Sequence, residues 1–222
     1  KWKEGAGIIT PGNIRLKFGL PEEAGLSSEL LHNTIDTIVT RGLKAGAYPG
    51  CEVMIAKDGI VVFSETYGYH TYEDVVAVKK NDLFDLASLT KVVATTPALM
   101  LLEAEGRFNP GRKLGDYLPG YMNSNKGDLT MKEILSHQAG LKAWIPFWEE
   151  TTKRDTSLKR RLYRSHYSDN HPVKVADSLF LHENFRKKIF EVIMESPLGK
   201  KKFLYSDLGF ILTPEIIDNL AG

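Results

Sequence analysis

An apolar stretch from residue 88 to residue 105 constrains the fold of this 222-residue chain more than any other feature. It ends at Gly106, and apolar side chains occupy nearly every side of a helix drawn through it. At 1.5 Å per residue such a helix would be about 27 Å long, and its composition predicts that it is largely buried. Pro97 should kink it, because the proline ring removes one backbone hydrogen bond and collides with the carbonyl of Val93.

The overall composition excludes several classes of protein. With 29 basic and 28 acidic side chains the formal charge is +1, which argues against a dedicated nucleic-acid binder. No uninterrupted apolar run approaches the ~18 residues that span a bilayer. The single cysteine, Cys51, excludes an internal disulfide, and no two histidines have the i,i+4 spacing of a metal pair on a credible helix. We therefore expect no metal and no cofactor.

Local signals predict an extended lead-in over residues 1–26, followed by a domain over 27–222. Within the domain, 27–87 should hold a helix and a β-hairpin, and 88–222 should be mostly helical. Ser27 or Ser28 is the expected N-cap of the first helix, which Gly46 stops. The hairpin strands are 51–56 and 60–67, because Asp58-Gly59 between them favours a type I′ turn.

Further helices are expected in the second half of the chain. A capping box at Thr130 and Glu133 predicts a helix with its stop at Gly140. Two more are predicted over 185–194 and over 205–220, the latter crossed by Pro214. The basic segment 153–164 is read as a solvated face rather than a binding patch.

The apolar stretch begins with Ser88-Leu89-Thr90-Lys91, an S-x-x-K pattern. With 12 Ser and 20 Lys in the chain, about one such match is expected by chance, so position is the stronger argument. Residues three apart share a helix face, and we expect the helix N-terminus and burial to lower the pKa of Lys91. A neutral Lys91 could activate the Ser88 hydroxyl, and free N–H groups of the first turn could stabilise an oxyanion. Alternatively, Ser88 is only an N-cap and Lys91 extends to solvent.

The segment from Phe84 to Lys91 resembles the nucleophile segment of the serine β-lactamase and penicillin-binding-protein superfamily, in its class C-like and esterase-like branch. That family carries a second element, Y-x-N or a variant. Y-x-[ND] occurs four times here, at Tyr72, Tyr121, Tyr167 and Tyr205. We choose Tyr205-Ser206-Asp207 because Leu208-Gly209-Phe210 follows, as in the family. Residues 134–141 resemble its L-L-S-H-x-x-G-L segment.

The resemblance implies an α+β fold of the β-lactamase/transpeptidase type, an antiparallel sheet packed with helices plus a mostly helical part. It implies that Ser88 forms an acyl-enzyme, that Lys91 is its base and that Tyr205 moves protons. Asp207, where the family often has Asn, would position Lys91 or substrate; a carboxylate there favours the charged ammonium and would leave more of the base function to Tyr205. His137 is expected to be structural. Trp144 either lines the cleft or lies in the core.

The family also needs a later K-[ST]-G or H-x-G on a strand beside the cleft, and the residues after Asp207 supply neither. We therefore expect a C-terminally truncated form that is weakly active or inactive by itself. The C-terminal strands of the sheet would be missing, and the exposed edge of the 51–67 hairpin could support self-association or pairing with a C-terminal fragment.

Two functions remain open. The first is an acyl-enzyme serine hydrolase that acts on an amide or ester, such as a β-lactam, a D-Ala peptide of peptidoglycan or a small ester. The second is a non-catalytic domain that keeps the fold and binds a ligand or partner. The resemblance implies a periplasmic or cell-envelope location.

Overall fold

The computed structural model describes residues 16–222, so most of the predicted lead-in lies outside the described residues. The chain divides into two compact units, one ending at Asp85 and the other running from Leu86 to Gly222. Both contain helices and a three-stranded sheet in which antiparallel pairing dominates, which confirms the predicted α+β class.

The first unit contains one helix and one three-stranded sheet. Its elements are β1 Lys17–Phe18, α1 Ser28–Lys44, β2 Gly50–Lys57 and β3 Ile60–Gly68, with a 3₁₀ turn at Pro21–Ala24. As predicted, Ser27 caps α1: its side chain accepts the Leu30 N–H at 3.2 Å. The chain turns after α1 at Gly46, whose φ is +64°.

The predicted hairpin is confirmed by antiparallel pairing of β2 with β3. Asp58 and Gly59 both have positive φ, 53° and 80°, which a type I′ turn requires. The strand order is β1-β3-β2, and β1 pairs with only two residues of β3. Strand β2 therefore forms an edge of this sheet, and Val61, Val62 and Phe63 of β3 are buried.

The second unit contains five α-helices and a small sheet, joined by long connections. Its helices are α2 Thr96–Ala104, α3 Leu114–Tyr117, α4 Met131–Leu135, α5 Glu183–Glu195 and α6 Leu208–Ala221, with 3₁₀ turns at Pro119–Tyr121 and Phe147–Glu150. A second sheet, order β4-β6-β5, is formed by β4 Tyr163–Arg164, β5 Val173–Ala176 and β6 Leu179–Leu181. The sequence analysis did not find these strands, which are too short to show an alternating pattern.

Helix α6 lies in the main core of this unit. Leu208, Leu212 and Ile216 are almost completely buried and belong to a cluster with residues of α2 and α4. Gly209 permits the contact with α4, because a Cβ at that position would lie 2.3 Å from Ile134 Cγ2. The helix begins three residues later than predicted and contains Pro214 as expected.

The capping box that begins α4 is also confirmed. The Thr130 side chain accepts the Glu133 N–H at 3.2 Å, and the Glu133 carboxylate accepts the Thr130 N–H at 3.0 Å. The predicted end at Gly140 is wrong. The helix ends at Leu135, because His137 adopts a left-handed conformation (φ 58°) that cannot continue it.

The apolar stretch at 88–105 differs from the prediction in two respects. Residues Lys91–Thr95 form a π-helical turn, and the regular α-helix begins only at Thr96. This wider turn lies directly before Pro97, where α-helical geometry would press the ring against the Val93 carbonyl. The stretch is also not largely buried. Leu99 and Leu102 face the core, whereas Val92 and Leu101 remain 65% and 63% exposed.

Candidate active site

The turn that carries Ser88 places its side chain beside that of Lys91. Three successive i→i+3 hydrogen bonds of 2.8–3.1 Å join the N–H groups of residues 89–91 to the carbonyls of residues 86–88. In such a 3₁₀-type turn, side chains three residues apart eclipse each other. Lys91 Nζ accordingly lies 3.0 Å from Ser88 Oγ, and Ser88 itself is exposed. The predicted Ser88–Lys91 pairing is present.

Two features of this turn were not expected. Ala87, immediately before Ser88, has φ +41°, a left-handed conformation that residues with side chains rarely adopt and that is often found at functional sites. The expectation of free N–H groups in the first turn does not hold for Leu89, Thr90 and Lys91, because all three are committed to the i→i+3 hydrogen bonds. Any oxyanion donor from this turn must therefore be the Ser88 N–H.

Lys91 also contacts the second predicted motif, 116 residues further along the chain. Its Nζ lies 2.8 Å from Asp207 Oδ1 and forms an ion pair with that carboxylate. The same nitrogen lies 5.4 Å from the ring centre of Tyr205 and 5.5 Å from that of Phe210. The structure thus brings Ser88, Lys91, Tyr205 and Asp207 together around one amine.

The ion pair reverses the expected charge state of Lys91. Burial lowers the pKa of Lys91, but hydrogen bonds and charges from Asp207 and Tyr205 outweigh this effect and raise that pKa above its ordinary value. The aromatic faces of Tyr205 and Phe210 also favour a cation. The prediction of a lowered Lys91 pKa is therefore wrong, and the effect expected of a carboxylate at position 207 is the one observed.

Residues 203–207 are held against the loop that follows α4. The Leu204 N–H donates to the His137 carbonyl (2.9 Å), and the Asp207 N–H donates to the Ala143 carbonyl (2.9 Å). Ser206 is buried, and its hydroxyl donates to the Lys142 carbonyl (2.6 Å) and accepts the Leu208 N–H (3.2 Å). These bonds fix the flanking side chains of Tyr205 and Asp207.

Ser206 and Phe210 were missed as site residues by the sequence analysis. The triplet itself could not reveal Ser206, since Tyr167-Ser168-Asp169 has the same letters. That second triplet lies in the β4–β5 connection with Tyr167 61% exposed, as its polar surroundings predicted. Context was the useful signal, because the buried helix α6 begins directly after Asp207.

Trp144 is 58% exposed, so the alternative of a core position is wrong. It follows Ala143, whose carbonyl binds the Asp207 N–H, and this places its backbone next to the site. Across residues 16–222, no three His, Cys, Asp or Glu side chains are grouped closely enough to hold a metal ion. Nor does any helix in that range have the length and apolar character needed to cross a membrane.

The chain spans about half the length of the curated relatives that it matches. The chain is 29% identical to an N-acetylmuramyl-L-alanine amidase of Bacillus subtilis (strain 168), covering 96% of the chain and 46% of the amidase. It is 27% identical to an Escherichia coli (strain K12) protein provisionally named a D-alanyl-D-alanine carboxypeptidase. That match covers 91% of this chain and 44% of the Escherichia coli protein. A solved class C beta-lactamase from Rhodobacter sphaeroides matches 86% of this chain and 44% of its own chain, with a TM-score of 0.57 and 20% identity. This similarity shows the fold.

The family model named Beta-lactamase matches residues 35–222, a range that contains Ser88, Lys91, Tyr205 and Asp207. Because this match includes most of the chain, the protein belongs to the beta-lactamase family.

Proposed function

We propose that this protein is a serine hydrolase that cleaves an amide or ester through an acyl-enzyme on Ser88. The observation that carries the proposal is the position of Lys91 Nζ, 3.0 Å from Ser88 Oγ and 2.8 Å from Asp207 Oδ1. A serine hydroxyl is a weak nucleophile unless a base lies within hydrogen-bond reach, and Lys91 is such a group.

In the proposed reaction the neutral fraction of Lys91 accepts the Ser88 proton as Oγ attacks the substrate carbonyl. The Ser88 N–H contributes to stabilising the oxyanion. The bond to the leaving nitrogen or oxygen then breaks, and Tyr205, in contact with Lys91, supplies the proton that the leaving group requires. Water cleaves the acyl-enzyme by the reverse proton path and regenerates Ser88. Asp207 opposes the first step because it favours the charged form of Lys91.

Substrate class and location are part of the same proposal. The names of the two curated relatives, an amidase and a carboxypeptidase, both describe cleavage of amide bonds. We therefore place the substrate among the N-acetylmuramyl and D-alanyl peptides of the cell wall and the protein at the cell envelope. Trp144, exposed next to the site, is a candidate for positioning such a substrate.

A partner could pair with the first unit through its sheet. Within residues 16–222 no strand pairs with the outer edge of β2, and β1 pairs only with Ile60 and Val61 of β3. Unpaired strand edges present N–H and C=O groups to any complementary strand. We propose a further strand, from a second copy or from a separate segment, as the partner at this sheet.

Covalent labelling tests the nucleophile directly. The purified protein is incubated with a fluorophosphonate or a fluorescent penicillin, and its intact mass is compared with that of Ser88→Ala. Ser165→Ala, an exposed serine in the β4–β5 connection, is the matched control. A mass gain that is lost only in Ser88→Ala supports the hydrolase. No gain in the folded full-length domain would refute the nucleophile and favour the non-catalytic binding domain.

A further inference from the structure

His137 holds residues 204–206 through both its main chain and its side chain. Its carbonyl accepts the Leu204 N–H at 2.9 Å, and its Nδ1 accepts the Ser206 N–H at 3.1 Å. Its ring lies against the Tyr205 ring, with centroids 4.5 Å apart, and 5.5 Å from the Phe210 ring. One imidazole thus contacts residues on both sides of Asp207.

The backbone conformation of His137 makes these contacts possible. Its φ of 58° ends α4 and turns the side chain towards residues 204–206. Gly140 secures the same loop: its carbonyl accepts the Gly199 N–H at 2.8 Å, and a Cβ on Gly140 would lie 2.6 Å from the Gly199 carbonyl oxygen. The loop that carries His137 is therefore held by main-chain contacts as well as by the His137 side chain.

We infer that His137 is a positioning residue for the reaction proposed at Ser88, holding Tyr205 and Asp207 next to Lys91 only while its imidazole is neutral. This inference rests on the proposed function. The physical reason is that Nδ1 is an acceptor for the Ser206 N–H, and a protonated imidazole has no acceptor nitrogen. Protonation would place the Nδ1–H of His137 against the Ser206 N–H, so that two donors face each other between Tyr205 and Asp207.

The charges around the ring support the neutral form near pH 7. Burial, followed by the positive charge of Lys91, lowers the pKa of His137, and the Asp207 carboxylate opposes this shift. Among the described residues, the titratable groups that face the ring from the packed segments are Lys91, Tyr205 and Asp207. Since the pKa is lowered, positioning persists as the pH falls below 6.5 and is lost on passing through the lowered pKa.

Two substitutions test the acceptor nitrogen of His137 and its aromatic ring separately. His137→Asn offers its side-chain oxygen as an acceptor for the Ser206 N–H, does not titrate, and tolerates a left-handed φ. His137→Phe keeps an aromatic ring next to Tyr205 but has no acceptor. His166→Asn, at an exposed histidine, is the control.

The fluorophosphonate labelling rate of Ser88 is measured from pH 5 to pH 9. We expect His137→Phe to label about tenfold more slowly at pH 8, the usual consequence of leaving one such donor unpaired. His137→Asn should label at a rate within about threefold of that of the original protein. Its pH–rate profile should no longer show the fall at low pH that protonation of His137 causes. Hydrogen exchange of the Ser206 amide should accelerate in His137→Phe and not in His166→Asn.

The two proposals fail in different ways. Absence of Ser88 labelling in the unsubstituted protein would overturn the proposed function and with it any role of His137 in that reaction. Labelling of His137→Phe at the original rate at every pH, with normal Ser206 exchange, would overturn the role of His137 alone.

Discussion

Replacing Asp207 with Asn should accelerate acylation of Ser88, because it removes the charge that keeps Lys91 protonated. Asn retains a side-chain oxygen that can accept the hydrogen bond from Lys91 Nζ, so the change is mainly one of charge. The variant also introduces the Asn that the motif resembled by Tyr205-Ser206-Asp207 often has at this position.

The size of the effect follows from the geometry of the ion pair. At the observed 2.8 Å, two unit charges interact by about 1.5 kcal/mol at the dielectric constant of water and about 6 kcal/mol at an effective dielectric of 20. Asp207 is 44% exposed and Lys91 only 17%, so solvent screening brings the interaction towards the lower value. We take about 1.5–3 kcal/mol, and losing this interaction lowers the pKa of Lys91.

The sign of the pH effect is fixed by the raised pKa of Lys91. Between pH 7 and pH 9 the amine is mostly charged in the original protein, because its pKa is raised. Removing about 1.5 kcal/mol of stabilisation from the charged form therefore multiplies the neutral fraction by about ten. If neutral Lys91 is the base, Asp207→Asn should label about tenfold faster with fluorophosphonate at pH 8. The rate is followed by intact mass, and a thermal melt checks for loss of the acidic residue at the start of α6.

Asp169→Asn is the matched control, since it makes the same change in the exposed Tyr167-Ser168-Asp169 triplet. It should leave the rate unchanged. An unchanged or slower rate in folded Asp207→Asn would contradict the reasoning, and a simultaneous loss of labelling in Tyr205→Phe would assign the base function to Tyr205 instead.

Three further predictions concern stability and are checked by urea unfolding. Gly209→Ala should lower the free energy of unfolding by about 1–3 kcal/mol, because its Cβ would lie 2.3 Å from Ile134 Cγ2; Gly120→Ala, at an open position, should change it little. Lys126→Met should cost about 1–3 kcal/mol, because this fully buried amine donates to main-chain carbonyls at the end of α5; unaltered stability would show that they find other donors. Thr130→Ala should cost about 1 kcal/mol through loss of the α4 cap, and a neutral result would exclude that contribution.

Structural features that depend on residues close together in the sequence could be predicted from the sequence. The Asp58-Gly59 turn specified the hairpin, since both positions need positive φ, and Ser27 and Thr130 identified the helix starts whose N–H groups they accept. The second sheet was missed for the converse reason. Strands of two to four residues carry no period and form through pairing with one another.

The apolar stretch at 88–105 shows where composition misleads. Its side chains predicted burial, but a helix face is buried only where another element covers it, and only Leu99 and Leu102 of this stretch have less than a tenth of their surface exposed. Pro97 was expected to kink the helix, and the structure has a π-helical turn just before it. Sequence indicates that proline must be accommodated but does not specify the width of the preceding turn.

The candidate active site depends both on residues close together in the sequence and on residues far apart in it. The Ser88–Lys91 contact follows from a separation of three residues, so the local sequence predicts it. Whether that contact can activate Ser88 depends on the charge of Lys91, which a carboxylate 116 residues away controls. A helix N-terminus and partial burial both oppose a charged lysine, yet the Asp207 carboxylate at 2.8 Å, together with Tyr205, raises the pKa of Lys91. A family pattern that accepts either Asn or Asp at this position therefore does not specify the protonation state of its own base, and in this chain position 207 decides it.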